Sequence, residues 1–145
     1  MQHTITCTKT VSAPAHEVWA VWSDLEAYPK WDKREEANHL EGPFAVGSSG
    51  TFKQRGRGAG TYRITAIEEG RAWTTETSLP GGKLVIDHRL ESGPHGVELT
   101  KRYTAHGPMA LAFRWFFVKE IQREMPGSFA ALEAEIARRF SGARE

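Results

Sequence analysis

The 145 residues include one cysteine, Cys7, so no internal disulfide can form and a dithiol redox pair is excluded. Its place in an alternating pattern with Ile5 and Val11 predicts a small buried hydrophobe rather than a nucleophile. No apolar run approaches the roughly 20 residues that span a bilayer, so stable membrane insertion is not expected. Met1 to Thr6 have neither the basic start nor the apolar stretch of a secretory signal, and a cytoplasmic address is the expectation. An excess of one charge is also missing. Nineteen Lys and Arg stand against eighteen Asp and Glu, far from the balance of a domain that neutralises phosphates along a duplex, so nucleic acid is not an expected partner. None of the six histidines lies three or four residues from another, so no metal site is expected. Ser, His and Asp residues occur without a spacing that singles out a catalytic triad, and nothing calls for a cofactor.

What the chain does contain is enough for one core: a length typical of a single domain, taken as residues 1–145, with 39% hydrophobic residues. From Thr4 to Val11, Ile5, Cys7 and Val11 share one side and four threonines the other, the period of a half-buried strand that Lys9 interrupts. Helical spacing follows. Ser12 is placed to cap a helix whose first turn holds Pro14 and whose buried side is Val18, Val21, Trp22 and Leu25. Asp24 offers a second cap, and Leu25 to Trp31 reads as another short helix bent or ended near Pro29. From about Arg34 to Ala105, strand-like runs alternate with glycine-bearing turns at Gly42, Gly47 to Gly50, Gly56 to Gly60, Gly70, Gly81-Gly82 and Gly93 to Gly96, an antiparallel meander. Beyond Gly107-Pro108 an apolar stripe of Phe113, Phe117, Ile121, Met125, Phe129, Leu132, Ile136 and Phe140 predicts a long helix, broken at Met125-Pro126-Gly127, with Ser141 to Glu145 fraying. The sheet must bury its apolar side, and only this helix is long enough to cover it, so the two should face each other in an α+β layer structure.

That order of elements, with Val11-Ser12-Ala13-Pro14-Ala15-His16-Glu17-Val18-Trp19 followed by Asp24, Tyr28, Pro29 and Trp31-Asp32, resembles the START and polyketide cyclase/dehydrase superfamily, also called SRPBCC. The likeness extends through Gly47 and Gly50, His88-Arg89-Leu90, Gly96 to Leu99, Gly107-Pro108, and Pro126 ahead of Leu132. It implies a helix-grip fold, in which a curved antiparallel sheet grips a long C-terminal helix after two short helices follow the first strand. It further implies a cavity between sheet and helix, used across the superfamily for lipids, sterols, polyketides, quinones and plant hormones. It does not fix an activity, because some members cyclise or dehydrate polyketides and others carry or sense a ligand.

A cavity needs large apolar walls and a few orienting polar groups. Trp31, Phe52, Tyr62, Trp73, Tyr103, Phe113 and Phe117 are candidates for the walls, although a solid core would use the same side chains. His88 stands among Leu84, Ile86 and Leu90 on an inward strand face; it either serves a ligand or bonds a neighbouring tyrosine or backbone group. Lys101 and Tyr103 share their strand side with Val97 and Leu99 and project inward unless a bulge intervenes, whereas Arg63 should face solvent. A cation in the cavity would stabilise an enolate formed during polyketide cyclisation. The stretch Lys53 to Gly60 lacks the end of a phosphate-binding loop and reads as a solvated turn whose basic residues can steer an acidic ligand to a cavity mouth. Leu111 to Val118, apolar nearly all round, is either deeply buried or an entrance, a membrane contact or the surface of a homodimer. The expected activity is therefore binding of a hydrophobic or aromatic small molecule of lipid, isoprenoid or polyketide class. The alternative is a polyketide aromatase/cyclase or dehydratase using His88, Lys101 or Tyr103.

Overall fold

The threonine-rich first segment forms β1 (Gln2–Val11), and in the computed structural model, which describes residues 1–144, it lies at one edge of a seven-stranded antiparallel sheet. Two short helices, α1 (Ala15–Trp22) and α2 (Tyr28–Trp31), joined by a 3-10 turn at Leu25–Ala27, carry the chain across to the far edge. There β2 (Glu35–Leu40) begins a meander through β3 (Ser49–Gln54), β4 (Ala59–Glu68), β5 (Ala72–Leu79), β6 (Gly82–Gly93) and β7 (Gly96–His106). The meander returns beside β1, giving the order β1-β7-β6-β5-β4-β3-β2. The sheet is curved and open, and α3 (Met109–Phe116) and α4 (Val118–Arg144) close over its inner face as a helix grip.

Ser12 and Asp24 do not act as side-chain caps. The α1 helix starts two residues later than the serine implies, with the Pro14 carbonyl accepting from the amides of Glu17 and Val18 at 3.1 Å each. Ser12 instead donates its amide to Glu133 at 3.1 Å, and Asp24 pairs with Arg139 at 3.1 Å, so both tie the first helical region to α4.

The expected break at Met125-Pro126-Gly127 is absent; the helix runs through Pro126 and the chain is interrupted at Phe117 instead. Proline in a helix interior costs about 3 kcal/mol, so something must hold the turn together. Met125 and Phe129 are fully buried on either side of it, Ser128 donates to Asp32 at 2.8 Å, and Arg34 pairs with Glu124 at 2.6 Å. Tertiary packing therefore overrides the local preference. The helix also continues past Ser141 to Arg144, so the end expected to fray is helical as far as that residue; Glu145 lies outside the described residues.

The core is one continuous cluster in which Ile121, Met125, Phe129, Leu132 and Ile136 of the helix meet Val18, Val21 and Trp22 of α1 and the inward residues of the sheet. Burying side chains of this size contributes roughly 1.5–3 kcal/mol each, which makes this stripe the main adhesive between the layers. Cys7 is only half-buried, at the edge of that cluster. Burial pushes its thiol upward, opposed by Lys101 and Arg34, so it stays protonated at neutral pH.

Candidate functional site

The inner face of the sheet is not fully covered. Between it and the α3–α4 junction lies an open cavity of about 770 Å³. The registers Cys7↔Lys101, Lys101↔His88 and His88↔Trp73 put those side chains in one transverse row on the inner face, and Ile5↔Tyr103↔Ile86↔Thr75 form the next. A strand alternates its faces, so fixing one residue of a row fixes the rest.

Of the residues expected to form walls, Phe52, Tyr62, Trp73, Tyr103, Phe113 and Phe117 line this cavity, as do His88 and Lys101. Arg63 is exposed, as expected. Trp31 does not reach the cavity. In the four-residue α2, Tyr28 takes the cavity-facing place, donating its hydroxyl to the Trp22 carbonyl, while Trp31 packs edge-on against Tyr28 at 4.9 Å and lines a neighbouring cleft.

Two glycines expected to lie in turns make room for these walls. Gly50 and Gly60 lie within strands, opposite Tyr62 and Phe52 respectively. A Cβ on Gly50 would collide with the Tyr62 ring, and one on Gly60 would sit 2.7 Å from the Phe52 ring. Glycine lets both rings lie flat across the neighbouring strand.

Polar groups enter the lining from β2 and β3 at one edge of the sheet and from β5, β6 and β7. His88 stacks on Trp73 with ring centroids 3.6 Å apart and meets Trp22 edge-on at 5.3 Å. Its Nδ1 lies 3.3 Å from the Trp73 carbonyl, which only accepts, so Nδ1 carries the proton and Nε2 remains an acceptor. Burial first, and then Lys101, hold the imidazole well below its usual range, so it is neutral at pH 7. Among the described residues Lys101 has no ion pair; its ammonium lies 5.3 Å from the Tyr103 ring. The Tyr103 hydroxyl donates to the Met125 sulfur at 3.3 Å, and that of Tyr62 to Asn38 at 2.8 Å.

Glu35, Arg34, Asn38 and Gln54 also line the cavity and were not expected there. Burial raises the Glu35 carboxyl, partly opposed by Lys101. One of its oxygens accepts from Gln54 at 3.4 Å, and the other is buried without a partner. The β2 sequence Glu35-Glu36-Ala37-Asn38-His39-Leu40 has no apolar alternation, and its register shifts between Glu35 and Ala37, so no periodic signal exposed this edge.

The mouth is framed by the turn between β5 and β6, by Arg57 beyond β3, and by α3. The Met109 amide donates to the Gly81 carbonyl at 3.0 Å, and Arg57 pairs with Glu120 at 2.6 Å with its guanidinium 5.4 Å from the Phe117 ring. Phe113 is buried and Phe117 is at the lip, but Leu111, Trp115 and Phe116 are 50%, 71% and 74% exposed, which rules out deep burial of this segment. Among the described residues no group of three or more His, Cys, Asp or Glu is placed to hold a metal ion, and no helix is long and apolar enough to cross a membrane.

The family described as polyketide cyclase/dehydrase and lipid transport matches residues 2–139. The chain belongs to that family. Its fold is likewise that of several solved structures. An aromatase/cyclase from Streptomyces sp. R1128 superposes with a TM-score of 0.79 at 16% identity, covering 96% of each chain. Ara h 8.0201 gives 0.71 at 19% identity, over 95% of this chain and 99% of the other. Norcoclaurine synthase from Thalictrum flavum, in complex with dopamine and hydroxybenzaldehyde, gives 0.73 at 12% identity, over 95% and 88%. No curated protein sequence matches the chain. Membership of the family supports ligand binding or cyclase activity in general, and the neighbours establish the helix-grip architecture.

Proposed function

We propose that this protein binds a hydrophobic or aromatic small molecule, of lipid, isoprenoid or polyketide class, in the cavity between sheet and helices. The observation that carries this reading is the cavity's construction: about 770 Å³ with large aromatic walls from Phe52, Tyr62, Trp73, Phe113 and Phe117 and polar side chains such as His88, Lys101 and Glu35 set among them. Apolar burial at roughly 25 cal/mol per Å² supplies the affinity, and His88, Lys101 and Tyr103 fix orientation. A fluorescent apolar probe such as 1-anilinonaphthalene should bind saturably at one site and be weakened about tenfold or more by Ile86→Trp, which fills the cavity. Equal binding by the two proteins would place the probe elsewhere and count against the reading.

A second reading is favoured by the pairing of Lys101 with His88 across adjacent strands. A neutral imidazole with a free Nε2 is a base for a methylene proton, and an unpaired ammonium nearby stabilises the enolate that results. The ring closure of a poly-β-ketone, followed by loss of water, needs those two roles and no external oxidant. Incubation with a short poly-β-ketone should then yield an aromatic chromophore that Lys101→Met produces far more slowly. A rate equal to that of buffer would dismiss the enzymatic reading and leave binding.

A further inference from the structure

Beside the main cavity lies a second cleft of about 570 Å³, between the end of α2, the turn joining β3 to β4, and α4. Its walls bring Lys33, Arg34, Arg55, Arg57 and Arg123 together against two carboxylates, Asp32 and Glu124. The acids are already engaged. Glu124 pairs with Arg34 at 2.6 Å, and Asp32 accepts from the Ser128 hydroxyl at 2.8 Å and the Arg34 amide at 3.0 Å. Arg57 finds its own partner outside the cleft, in Glu120. Lys33, Arg55 and Arg123 take part in no ion pair among the described residues. Arg55 is nevertheless held in place, its Nε donating to the Lys33 carbonyl at 2.9 Å and its amide to the Arg34 carbonyl at 2.7 Å. Lys33, Arg55 and Arg123 thus bring three cations without an ion pair from three elements to one cleft, where they favour an anion.

The two hollows share a wall. Arg34, Gln54 and Arg57 line both the cavity and the cleft, so the two hollows meet along these three side chains. A carboxylate has two oxygens and one charge, which a single guanidinium satisfies. A phosphoryl group presents three oxygens and up to two charges, a better match for two forked guanidiniums and an ammonium. We infer that the cleft receives a phosphoryl group carried on an apolar chain that occupies the cavity. This rests on the binding reading above and narrows its ligand class to phosphate-bearing amphiphiles.

The test compares decyl phosphate, decanol and inorganic pyrophosphate by titration calorimetry, each below any micelle-forming concentration and at fixed ionic strength. The proteins are the wild type and Arg55→Ala/Arg123→Ala, whose changes lie on exposed side chains outside the main cavity. In wild type, decyl phosphate should bind about tenfold or more tightly than decanol, one charge-assisted contact being of that order. The double variant should lose that advantage, decanol binding should be unchanged, and added salt should erode the difference. Equal binding of decyl phosphate and decanol in wild type, or an advantage that survives in the double variant, would overturn the inference and leave the cavity reading intact. Pyrophosphate binding as tightly as decyl phosphate would also overturn it, because the chain would then contribute nothing. Failure of decyl phosphate and decanol alike would remove the cavity reading itself.

Discussion

The two C-terminal helices carry one apolar stripe in sequence, yet they do different work. Along α4 the stripe meets a filled core: Phe129, Leu132 and Ile136 are buried, and ion pairs from Arg34 and Arg139 fasten the helix at both ends. Along α3 and the Phe117 joint it meets empty volume, with Phe113 and Phe117 on the cavity side and Leu111, Trp115 and Phe116 turned outward. A residue in a filled core contributes mainly to stability, whereas a residue facing a void has fewer partners to lose and more of its surface available to a ligand. An apolar period marks the side of a helix that faces inward without saying whether anything solid lies there.

The largest effect should come from the filled half. Phe129→Ala is expected to cost about 3–5 kcal/mol in urea unfolding, because the surrounding core cannot collapse around the missing ring. A cost below about 1 kcal/mol would mean that α4 is as loosely packed as α3. In the opposite direction, Pro126→Ala should stabilise α4 by up to about 3 kcal/mol, since the exposed ring contributes little packing and its removal restores a backbone donor. An unchanged midpoint would show that the helix carries no proline strain.

Next in size is a pH effect at the polar row. His88 remains neutral in the folded protein well below its usual range, so in acid the unfolded chain binds a proton that the folded chain refuses. Its contribution is complete above about pH 6.5 and is lost at about 1.4 kcal/mol per pH unit as pH falls below that value. Stability of the His88→Leu variant should fall less steeply between pH 6.5 and 5; parallel curves would mean that the ring protonates freely in the native state. The smallest stability change belongs to the lip. Phe117→Ala should alter stability by about 1 kcal/mol or less while weakening an apolar probe several-fold, a separation of the two effects that Phe129→Ala cannot produce.

Much of this was legible in the residues. The alternation of Leu84, Ile86, His88 and Leu90 gave the inward face of β6, and the same rule placed Lys101 and Tyr103, because a strand has only two sides. The aromatic walls were legible as inward residues, except Trp31, whose place Tyr28 takes within a helix too short to show a period. Glu35 and Arg34 escaped because their segment alternates nothing and its pairing shifts register. Gly50 and Gly60 read as turn residues yet lie in strands, since glycine that accommodates a cross-strand ring looks the same in sequence as glycine that bends the chain. The Pro126 break was misplaced because the tertiary contacts that hold the helix through it lie roughly 90 residues away in the chain.

The most direct test of the account is native mass spectrometry of the gently purified protein, followed by denaturing extraction of whatever is released. A ligand-binding cavity should give a reproducible one-to-one adduct, either carried through purification or formed on adding an apolar ligand, and lost in Ile86→Trp. A protein that takes up no apolar ligand under either condition, or takes it up equally in the filled variant, would contradict it.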